Sequence, residues 1–213
     1  MDVKSSYDII AKEFKDTRVF TWNWVDKYIK EISNNNYLNI LDIGCGNGRF
    51  LNYNNNLGKT FNFFHNFYGI DISFMQLKNN TNKSQCIQCN MVNLPFKNSS
   101  FNNILCIASF HHLKNNEERL NCLKELKRVL IKNNNSSILL SVWSFNQPNK
   151  TKRIFNHYGD NIVNWKMKNN QIIPRYYYIF EINEIKNLLK SVFTIYNHMW
   201  DCGNEIFILK LNN

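Results

Sequence analysis

Residues 38–48 constrain the fold of this chain more than any other segment. A short apolar run, Leu38-Asn-Ile-Leu-Asp42-Ile, leads directly into Gly44-Cys-Gly46-Asn-Gly48, and the whole chain of 213 residues has seven glycines. Glycine adopts positive φ and lets a ligand come close to the backbone. Backbone N–H groups at a strand-to-helix turn also suit an anionic or polar ligand. The pattern therefore predicts a strand followed by a ligand-binding loop, and the alternative is an ordinary tight turn.

The composition indicates one basic domain. A chain of 213 residues fits a single domain, 1–213, with enough length to bury a core. Lys and Arg outnumber Asp and Glu by 26 to 16, which gives a net charge of +10. This excess favours a polyanionic partner such as nucleic acid or an acidic membrane surface. The alternative is a basic protein with a solvated lysine surface.

Neither a membrane segment nor a metal site is expected. No signal-like apolar segment opens the chain, and no apolar stretch approaches the ~20 residues of a membrane span. We therefore expect a cytoplasmic protein, with the nucleus as an additional compartment. Cys86-Ile-Gln-Cys89 lacks a second ligand pair, so it predicts no zinc site. The six cysteines are expected to be reduced thiols.

Strand-like and helix-like patterns alternate along most of the chain. Strands are predicted at 38–43, 67–72, 85–89, 103–108, 137–143, 193–199 and 205–211, and helices at 6–14, 21–32, 73–79, 117–130 and 183–190. The last two strands follow each other with only a short turn between them. This order predicts a doubly wound α/β fold whose seven-stranded sheet contains one antiparallel strand.

Two segments fall outside this alternation. We expect residues 1–33 to form an N-terminal helical segment over the ligand site. Residues 144–180 form a polar stretch laced with aromatic residues. Functional residues are often carried by such irregular segments, so we expect 144–180 to be an insertion that faces the substrate.

The glycine loop resembles motif I of the class I S-adenosylmethionine-dependent methyltransferases. Its G-x-G-x-G spacing differs from the G-x-G-x-x-G of dinucleotide-binding proteins. The resemblance implies the Rossmann-like class I fold and S-adenosyl-L-methionine as the cofactor. It also implies cofactor contacts from Asp42, Gly44, Cys45 and Gly46.

The second predicted strand ends at another candidate for the cofactor. The two carboxylate oxygens of Asp71 suit the vicinal diol of a ribose, and Ile72 follows it. A helix N-cap is the alternative role for Asp71. That role suits Ser73 better.

Two further segments complete the predicted cofactor site. Residues 89–96 read C-N-M-V-N-L-P-F and resemble the methyltransferase pattern C-D-x-x-x-L-P-F, whose acidic residue accepts a hydrogen bond from the adenine amino group. Asn90 stands at that position, and its amide oxygen can still accept, while the Met91 N–H can donate to the ring. The fourth strand ends at Ala108, which brings His111 and His112 beside the expected methyl donor.

Longer motifs resemble the wobble-uridine tRNA carboxymethyl methyltransferases. The opening Tyr7-Asp-Ile-Ile-Ala-Lys-Glu-Phe-Lys-Asp-Thr-Arg18 is similar to their Y-x-x-I-A-x-x-F-x-x-T-R. Residues 107–112, I-A-S-F-H-H, resemble I-A-V-I-H-H, and residues 142–147, V-W-S-F-N-Q, resemble V-W-A-x-x-Q. Residues 175–180, R-Y-Y-Y-I-F, resemble R-Y-Y-H-x-[FY]. The resemblance follows the chain in order from end to end.

This resemblance implies a reaction and two partners. The family methylates the carboxylate of 5-carboxymethyluridine in the tRNA anticodon and works with a small zinc-binding activator subunit. A carboxylate is already a nucleophile, so its methylation needs positioning and desolvation more than a general base. The site must supply a cationic or hydrogen-bonding clamp. We assign catalytic roles to Arg18, His111 and His112, and acceptor binding to Trp143, Arg175 and Tyr176.

Each acceptor residue has an alternative role. Arg18 could form a surface ion pair or bind the methionine carboxylate of the cofactor. Adjacent side chains seldom face the same way, so one histidine should be structural, and we assign His112 to the substrate. Trp143 suits stacking on a splayed base but also suits the edge of the core. The tyrosines at 176–178 could form a stacking wall or bury the insertion.

Three departures from the family pattern keep other functions open. The connection between residues 147 and 175 is shorter than is usual in the family, and residues 201–205 read D-C-G-N-E where the family shows a D-R-D-N-W-like turn. Asn90 is the third departure. One alternative function is a class I methyltransferase that acts on another RNA position or on a small-molecule acid. The other is a catalytically inactive RNA-binding or scaffold protein of the same fold.

Overall fold

The computed structural model describes residues 1–17, 21–33, 37–51, 65–80, 85–149 and 153–212. Within them, nine strands form a seven-stranded sheet and a separate two-stranded sheet. The strands are β1 (Asn39–Ile43), β2 (Asn66–Asp71), β3 (Cys86–Gln88), β4 (Asn103–Ile107), β5 (Ser137–Trp143), β6 (Gly159–Lys166), β7 (Ile172–Ile179), β8 (Phe193–Asp201) and β9 (Asn204–Leu211).

The order of the large sheet is β3-β2-β1-β4-β5-β9-β8. Strands β1 to β5 pair in parallel, and β9 runs antiparallel to both of its neighbours, β5 and β8. The predicted doubly wound α/β fold with one antiparallel strand is therefore confirmed. All seven predicted strands belong to this sheet, with boundaries that shift by a few residues.

Helices cover the sheet on both faces. They are α1 (Val3–Asp16), α2 (Asn23–Ile32), α3 (Phe74–Lys78), α4 (Asn116–Val129) and α5 (Ile182–Lys190). Asn115 caps α4 by accepting a hydrogen bond from the N–H of Glu118 at 2.8 Å. Helix α4 buries Cys122, Leu123, Leu126 and Val129 completely in the larger core cluster, whereas α2 packs into a second cluster. None of the helices in the described ranges is long and apolar enough to cross a membrane.

Residues 144–180 contain a β-hairpin that the sequence analysis did not predict. Strands β6 and β7 pair antiparallel from Gly159 to Ile179, and alternate residues of β7 are buried. The buried positions include Arg175 and Tyr177 as well as two isoleucines. The charged Arg175 at an inward position interrupts the apolar alternation that is typical of a strand, so the sequence pattern predicts no strand here.

Helix α1 connects the hairpin with the large sheet. On one side, the hydroxyl of Ser6 donates to the carbonyl oxygen of Pro174 in β7 at 2.7 Å. On the other side, Asp8 Oδ1 accepts from the hydroxyl of Ser73 at 2.6 Å and from the N–H of Met75 at 3.1 Å, at the start of α3. The helix therefore spans the gap between the end of β2 and the hairpin.

Candidate functional site

A cavity of about 990 Å³ opens at the carboxyl ends of the parallel strands. Ligands of open α/β sheets bind at this edge. Loops after β1, β2, β3 and β4 line one end of the cavity, and Trp143, the hairpin and α1 line the other. We call the first the carboxylate end, after Asp42 and Asp71, and the second the arginine end, after Arg175.

The glycine loop shapes the wall of the carboxylate end. Gly44 has a φ of +73°, and a Cβ placed there would overlap the side chain of Ser109. The N–H groups of Gly44 and Cys45 donate to the carbonyl of Ile70 at 2.8 and 2.9 Å, and the N–H of Gly46 donates to Asp71 Oδ2 at 2.8 Å. These three N–H groups are thus bonded within the chain, and the cofactor contacts expected from Gly44, Cys45 and Gly46 stay a prediction. The glycines instead let a ligand come close to the backbone of the loop.

Asp71 is held by backbone groups on two sides. Its Oδ1 accepts from the N–H of Ser73 at 2.8 Å, and its Oδ2 accepts from Gly46. Burial raises the pKa of Asp71 to about 6, although these hydrogen bonds oppose the rise. Ser73, rather than Asp71, caps α3 by accepting from the N–H of Gln76. Asp71 is thus fixed at the cavity wall with lone pairs left for a ligand.

Asp42 is the second carboxyl group at this end. It is 2% exposed, and its Oδ2 has no hydrogen-bond partner among the described residues. Burial raises its pKa to about 8, the nearby Arg49 lowers the pKa, and Asp71 raises it further. A buried acid without a full set of partners favours a cationic or hydrogen-bond-donating ligand.

The remaining predicted cofactor residues also line the carboxylate end. Cys45, Ile72, Asn90, Met91 and Ala108 all contact the cavity. The Oδ1 of Asn90 accepts from an N–H two residues further along its own loop at 3.3 Å. Ala108 has a φ of +51°, a conformation that non-glycine residues rarely adopt. Strain of this kind is often found at functional sites.

The arginine end is built on a stacked pair of rings. Trp143, at the end of β5, lies parallel to Tyr177 of β7, with ring centroids 4.1 Å apart and an interplanar angle of 8°. The guanidinium of Arg153 lies 4.6 Å from the centre of the Trp143 ring. All three residues line the cavity. The stack offers flat surface and positive charge side by side.

Arg175 supplies a buried cation at this end. It is 6% exposed and lines the cavity, and its Nη1 donates to the hydroxyl of Tyr177 at 2.8 Å. Within the described ranges, no carboxylate forms an ion pair with Arg175, and its Nε has no hydrogen-bond partner. A buried charge without a counter-ion is costly, so this arrangement favours an anionic ligand.

The two adjacent histidines lie in different environments. His112 lines the cavity, whereas His111 does not. His111 is completely buried, its Nδ1 accepts from the N–H of Trp143 at 3.0 Å, and burial holds its pKa well below the ordinary value. His112 bonds through Nε2 to the hydroxyl of Tyr7 at 3.0 Å and through Nδ1 to the carbonyl of Tyr176 at 2.8 Å. Burial lowers the pKa of His112 to about 4.

Of the predicted acceptor residues, Tyr176 is not brought into the cavity, and the placement of Arg18 stays a prediction. Arg18 lies outside the residues that the structure describes. Tyr176 does not line the cavity, and its hydroxyl donates to Asp160 Oδ1 at 2.6 Å. Strand alternation turns Tyr176 away and places Tyr177 at the wall. The sequence motifs do not assign Tyr7 or Tyr177 to the site. Placing Arg175 on a strand indicates Tyr177, because residues two apart on a strand lie on the same face.

Comparison with known proteins assigns the domain. Residues 41–135 match the family model described as "Methyltransferase domain". The chain carries a methyltransferase domain. Over 232 residues it is 28% identical to the tRNA (carboxymethyluridine(34)-5-O)-methyltransferase of Schizosaccharomyces pombe, covering 99% of this chain and 96% of that protein. The protein of the same name from Arabidopsis thaliana is 32% identical over 142 residues, but there the match covers 66% of this chain and 32% of the relative.

Solved structures agree with the fold of this methyltransferase domain. An S-adenosylmethionine-dependent methyltransferase from Clostridium acetobutylicum superimposes with a TM-score of 0.68 at 16% identity, covering 98% of this chain and 99% of that one. The 1,6-didemethyltoxoflavin-N1-methyltransferase of Burkholderia thailandensis, solved with S-adenosylhomocysteine, gives a TM-score of 0.64 at 15% identity, covering 99% and 87%. The class I methyltransferase fold is thereby established.

Proposed function

We propose that this protein is an S-adenosylmethionine-dependent tRNA methyltransferase that forms the methyl ester of 5-carboxymethyluridine at the wobble position. The observation that carries the proposal is the charge difference within one cavity. The buried Asp42 and the partly buried Asp71 lie at one end, and the buried Arg175, without a carboxylate partner in the described ranges, lies at the other. The name of the S. pombe relative supports the choice of acceptor.

The carboxylate end fits S-adenosylmethionine. That cofactor carries positive charge on its sulfonium and its amino group, and the unpartnered Oδ2 of Asp42 suits a cationic donor. Asp71 would accept from the ribose hydroxyls, while Asn90 and Met91 would bind the adenine. Gly44 to Gly46, Ile72 and Ala108 would enclose the cofactor. When bound, the cofactor supplies an electrophilic methyl group that an oxygen nucleophile takes without any proton transfer.

The arginine end fits a nucleobase that carries a carboxylate. The guanidinium of Arg175 would bind the carboxylate through charge-assisted hydrogen bonds. Trp143 would stack on the base, as aromatic side chains do in single-stranded RNA recognition. His111 would position Trp143 through the hydrogen bond to its N–H. Arg18 remains a proposed further cation of this site.

His112 is proposed to act without transferring a proton. Both of its ring nitrogens are engaged, and its lowered pKa of about 4 keeps the imidazole neutral near pH 7. A carboxylate nucleophile is already deprotonated at that pH, so the reaction needs no base. The chain's contribution is to hold the two reactants in line and to exclude water.

A partner subunit is part of this proposal. Strand β3 forms one edge of the large sheet, and apolar side chains near it are exposed: Phe74 (55%), Met75 (39%) and Ile87 (42%). Exposed edge strands and apolar patches are typical places for protein partners. We propose that the small zinc-binding activator subunit covers this edge. We place the complex with its tRNA in the cytoplasm.

Methyl transfer from labelled S-adenosylmethionine tests the proposal. Purified protein, with and without the activator, is incubated with tRNA that contains 5-carboxymethyluridine and with the same tRNA lacking the modification. Ester formation only on the modified tRNA is the expected result. Cofactor binding without transfer to this tRNA would contradict it and favour another RNA position or a small-molecule acid. The absence of both binding and transfer would favour an inactive scaffold.

A further inference from the structure

A chain of four hydrogen bonds starts at Arg175 of β7, passes through α1 and the turn after β4, and returns to β7. Arg175 Nη1 lies 2.8 Å from the hydroxyl of Tyr177, which lies 3.0 Å from the hydroxyl of Tyr7. The Tyr7 hydroxyl lies 3.0 Å from His112 Nε2, and His112 Nδ1 lies 2.8 Å from the carbonyl oxygen of Tyr176. Side chains from β7, α1 and the turn after β4 therefore form one network.

The two ends of this chain fix the direction of every bond in it. A guanidinium only donates and a carbonyl oxygen only accepts. Arg175 therefore donates to Tyr177, Tyr177 to Tyr7, Tyr7 to His112, and His112 Nδ1–H to the carbonyl of Tyr176. His112 donates through Nδ1, and its neutral ring carries one proton, so its Nε2 must accept. For the neutral ring, no other arrangement uses all four contacts.

Tyr7 is the junction of this directed chain. Its hydroxyl is the acceptor for Tyr177 and the donor for His112, so it determines the positions of both. Tyr177 in turn holds one branch of the Arg175 guanidinium and stacks on Trp143. A change at the Tyr7 hydroxyl would therefore reach both the buried cation and the ring stack.

We infer that Tyr7 is a positioning residue of the acceptor site, which orients Arg175 through Tyr177 for an anionic carboxylate. The inference rests on the proposed function and deepens it, because it adds a residue that determines specificity. Through this chain the N-terminal helix helps to select an acid over a neutral group. His112 ends the chain and takes no part in proton transfer.

Packing alone is the competing role for Tyr7. Its ring lies edge-on to Phe14 at 5.4 Å and to His112 at 5.2 Å between centroids. Tyr7→Phe keeps these ring contacts and removes only the hydroxyl, so it separates the two roles. Tyr28→Phe is a matched control, because its hydroxyl bonds to Ser137 Oγ at 2.8 Å on the opposite edge of the sheet.

A double-mutant cycle with Tyr7→Phe and Arg175→Lys tests the inference in the full chain. We expect Tyr7→Phe to lower kcat/KM for the modified tRNA about tenfold, with the cofactor Kd unchanged. In the Arg175→Lys variant, adding Tyr7→Phe should lower kcat/KM by less than a further factor of two, because Tyr7 acts through Arg175. Tyr28→Phe should leave kcat/KM unchanged. Independent, multiplying effects of the two substitutions would overturn the inference.

The ring of His112 gives a second measurement that does not depend on turnover. Nitrogen NMR of the wild type should show the His112 proton on Nδ1, and Tyr7→Phe should shift the Nε2 resonance. A proton on Nε2 in the wild type would overturn the directed chain whatever the tRNA result. A wild type that binds cofactor but does not methylate the modified tRNA overturns the proposed function, and this inference with it. The two failures are therefore distinguishable.

Discussion

The two ends of the cavity are built in opposite ways. The carboxylate end consists of the ends of neighbouring strands and the short loops that follow them, with Asp42 near the end of β1 and Asp71 at the end of β2. At the arginine end, Tyr7 comes from α1, Trp143 from β5 and Arg175 from the hairpin, far apart in the chain. The residues of the carboxylate end are therefore specified by short contiguous segments. The residues of the arginine end come together only after the hairpin and α1 have packed.

The ends also differ in how they hold charge. At the carboxylate end, burial raises the pKa of Asp42 and Asp71, so part of the negative charge is withheld in the free protein. At the arginine end, the charged group is the guanidinium of Arg175, which is 6% exposed. The two ends therefore carry groups of opposite charge, and burial acts against the ionised form of the two carboxyl groups.

The largest effect should come from the backbone of the carboxylate end. Gly44→Ala would place a side chain at positive φ and in the space of Ser109, so we expect the free energy of unfolding to fall by about 3 kcal/mol. Gly46→Ala is the control, because its φ is also positive but its nearest neighbour, Gln76, leaves 3.8 Å. The free energy of unfolding of Gly46→Ala should fall by about 1 kcal/mol. Urea unfolding measures both, and equal losses would contradict the steric argument.

Arg175→Gln should separate the two ends. We expect kcat/KM for the modified tRNA to fall about 100-fold, because a buried partner of the carboxylate is removed. The cofactor Kd should stay within twofold, since Arg175 lies at the other end. The free energy of unfolding should rise by about 1 kcal/mol as an unpaired buried charge is removed. A weakened cofactor Kd would show that the ends are not independent.

The pH dependence of cofactor binding should distinguish the ends next. The pKa of Asp42 in the folded protein is about 8, so the group is mostly protonated at pH 7, and a bound cation would favour its ionised form. Cofactor affinity should therefore rise up to tenfold per pH unit between about pH 6 and 8, with proton release. Calorimetry in buffers of different ionisation enthalpy measures this release.

The effect of Asp42 on the free energy of unfolding changes with pH in the opposite direction to its effect on cofactor affinity. The Asp42 pKa is raised above the value of 3.8 that applies to an ordinary aspartate. Its contribution to the free energy of unfolding is therefore complete below about pH 4 and is lost as the pH rises through 8. Asp42→Asn should remove both dependences. A variant that still releases a proton on binding would assign the effect to another group.

The smallest effect should come from the outer face of the hairpin. Tyr176→Phe should change kcat/KM less than threefold, because its hydroxyl bonds to Asp160 away from the cavity. Tyr177→Phe, one residue further, should lower it about tenfold by breaking two hydrogen bonds of the arginine end. Steady-state kinetics on the same tRNA compares the two. Equal effects would contradict the alternation of β7.

The same contrast explains what the sequence could and could not predict. The seven strands of the large sheet and the residues around Asp42 and Asp71 follow from patterns that are contiguous in the chain. The choice between Tyr176 and Tyr177 requires the register of β7, which is fixed by pairing with β6. The division between His111 and His112 depends on a 3₁₀ turn at Phe110–His112 and on its packing against the hairpin. Such contacts are absent from local sequence.

The contacts of helix α1 with both ends of the cavity have a consequence for the motions of the site. Two consecutive residues hold opposite ends of the cavity, since Tyr7 bonds to Tyr177 of the hairpin and Asp8 bonds to Ser73 at the start of α3. A fluctuation that lifts this turn of helix would uncover both ends together. Such a fluctuation would couple the opening of the cofactor end to the opening of the acceptor end.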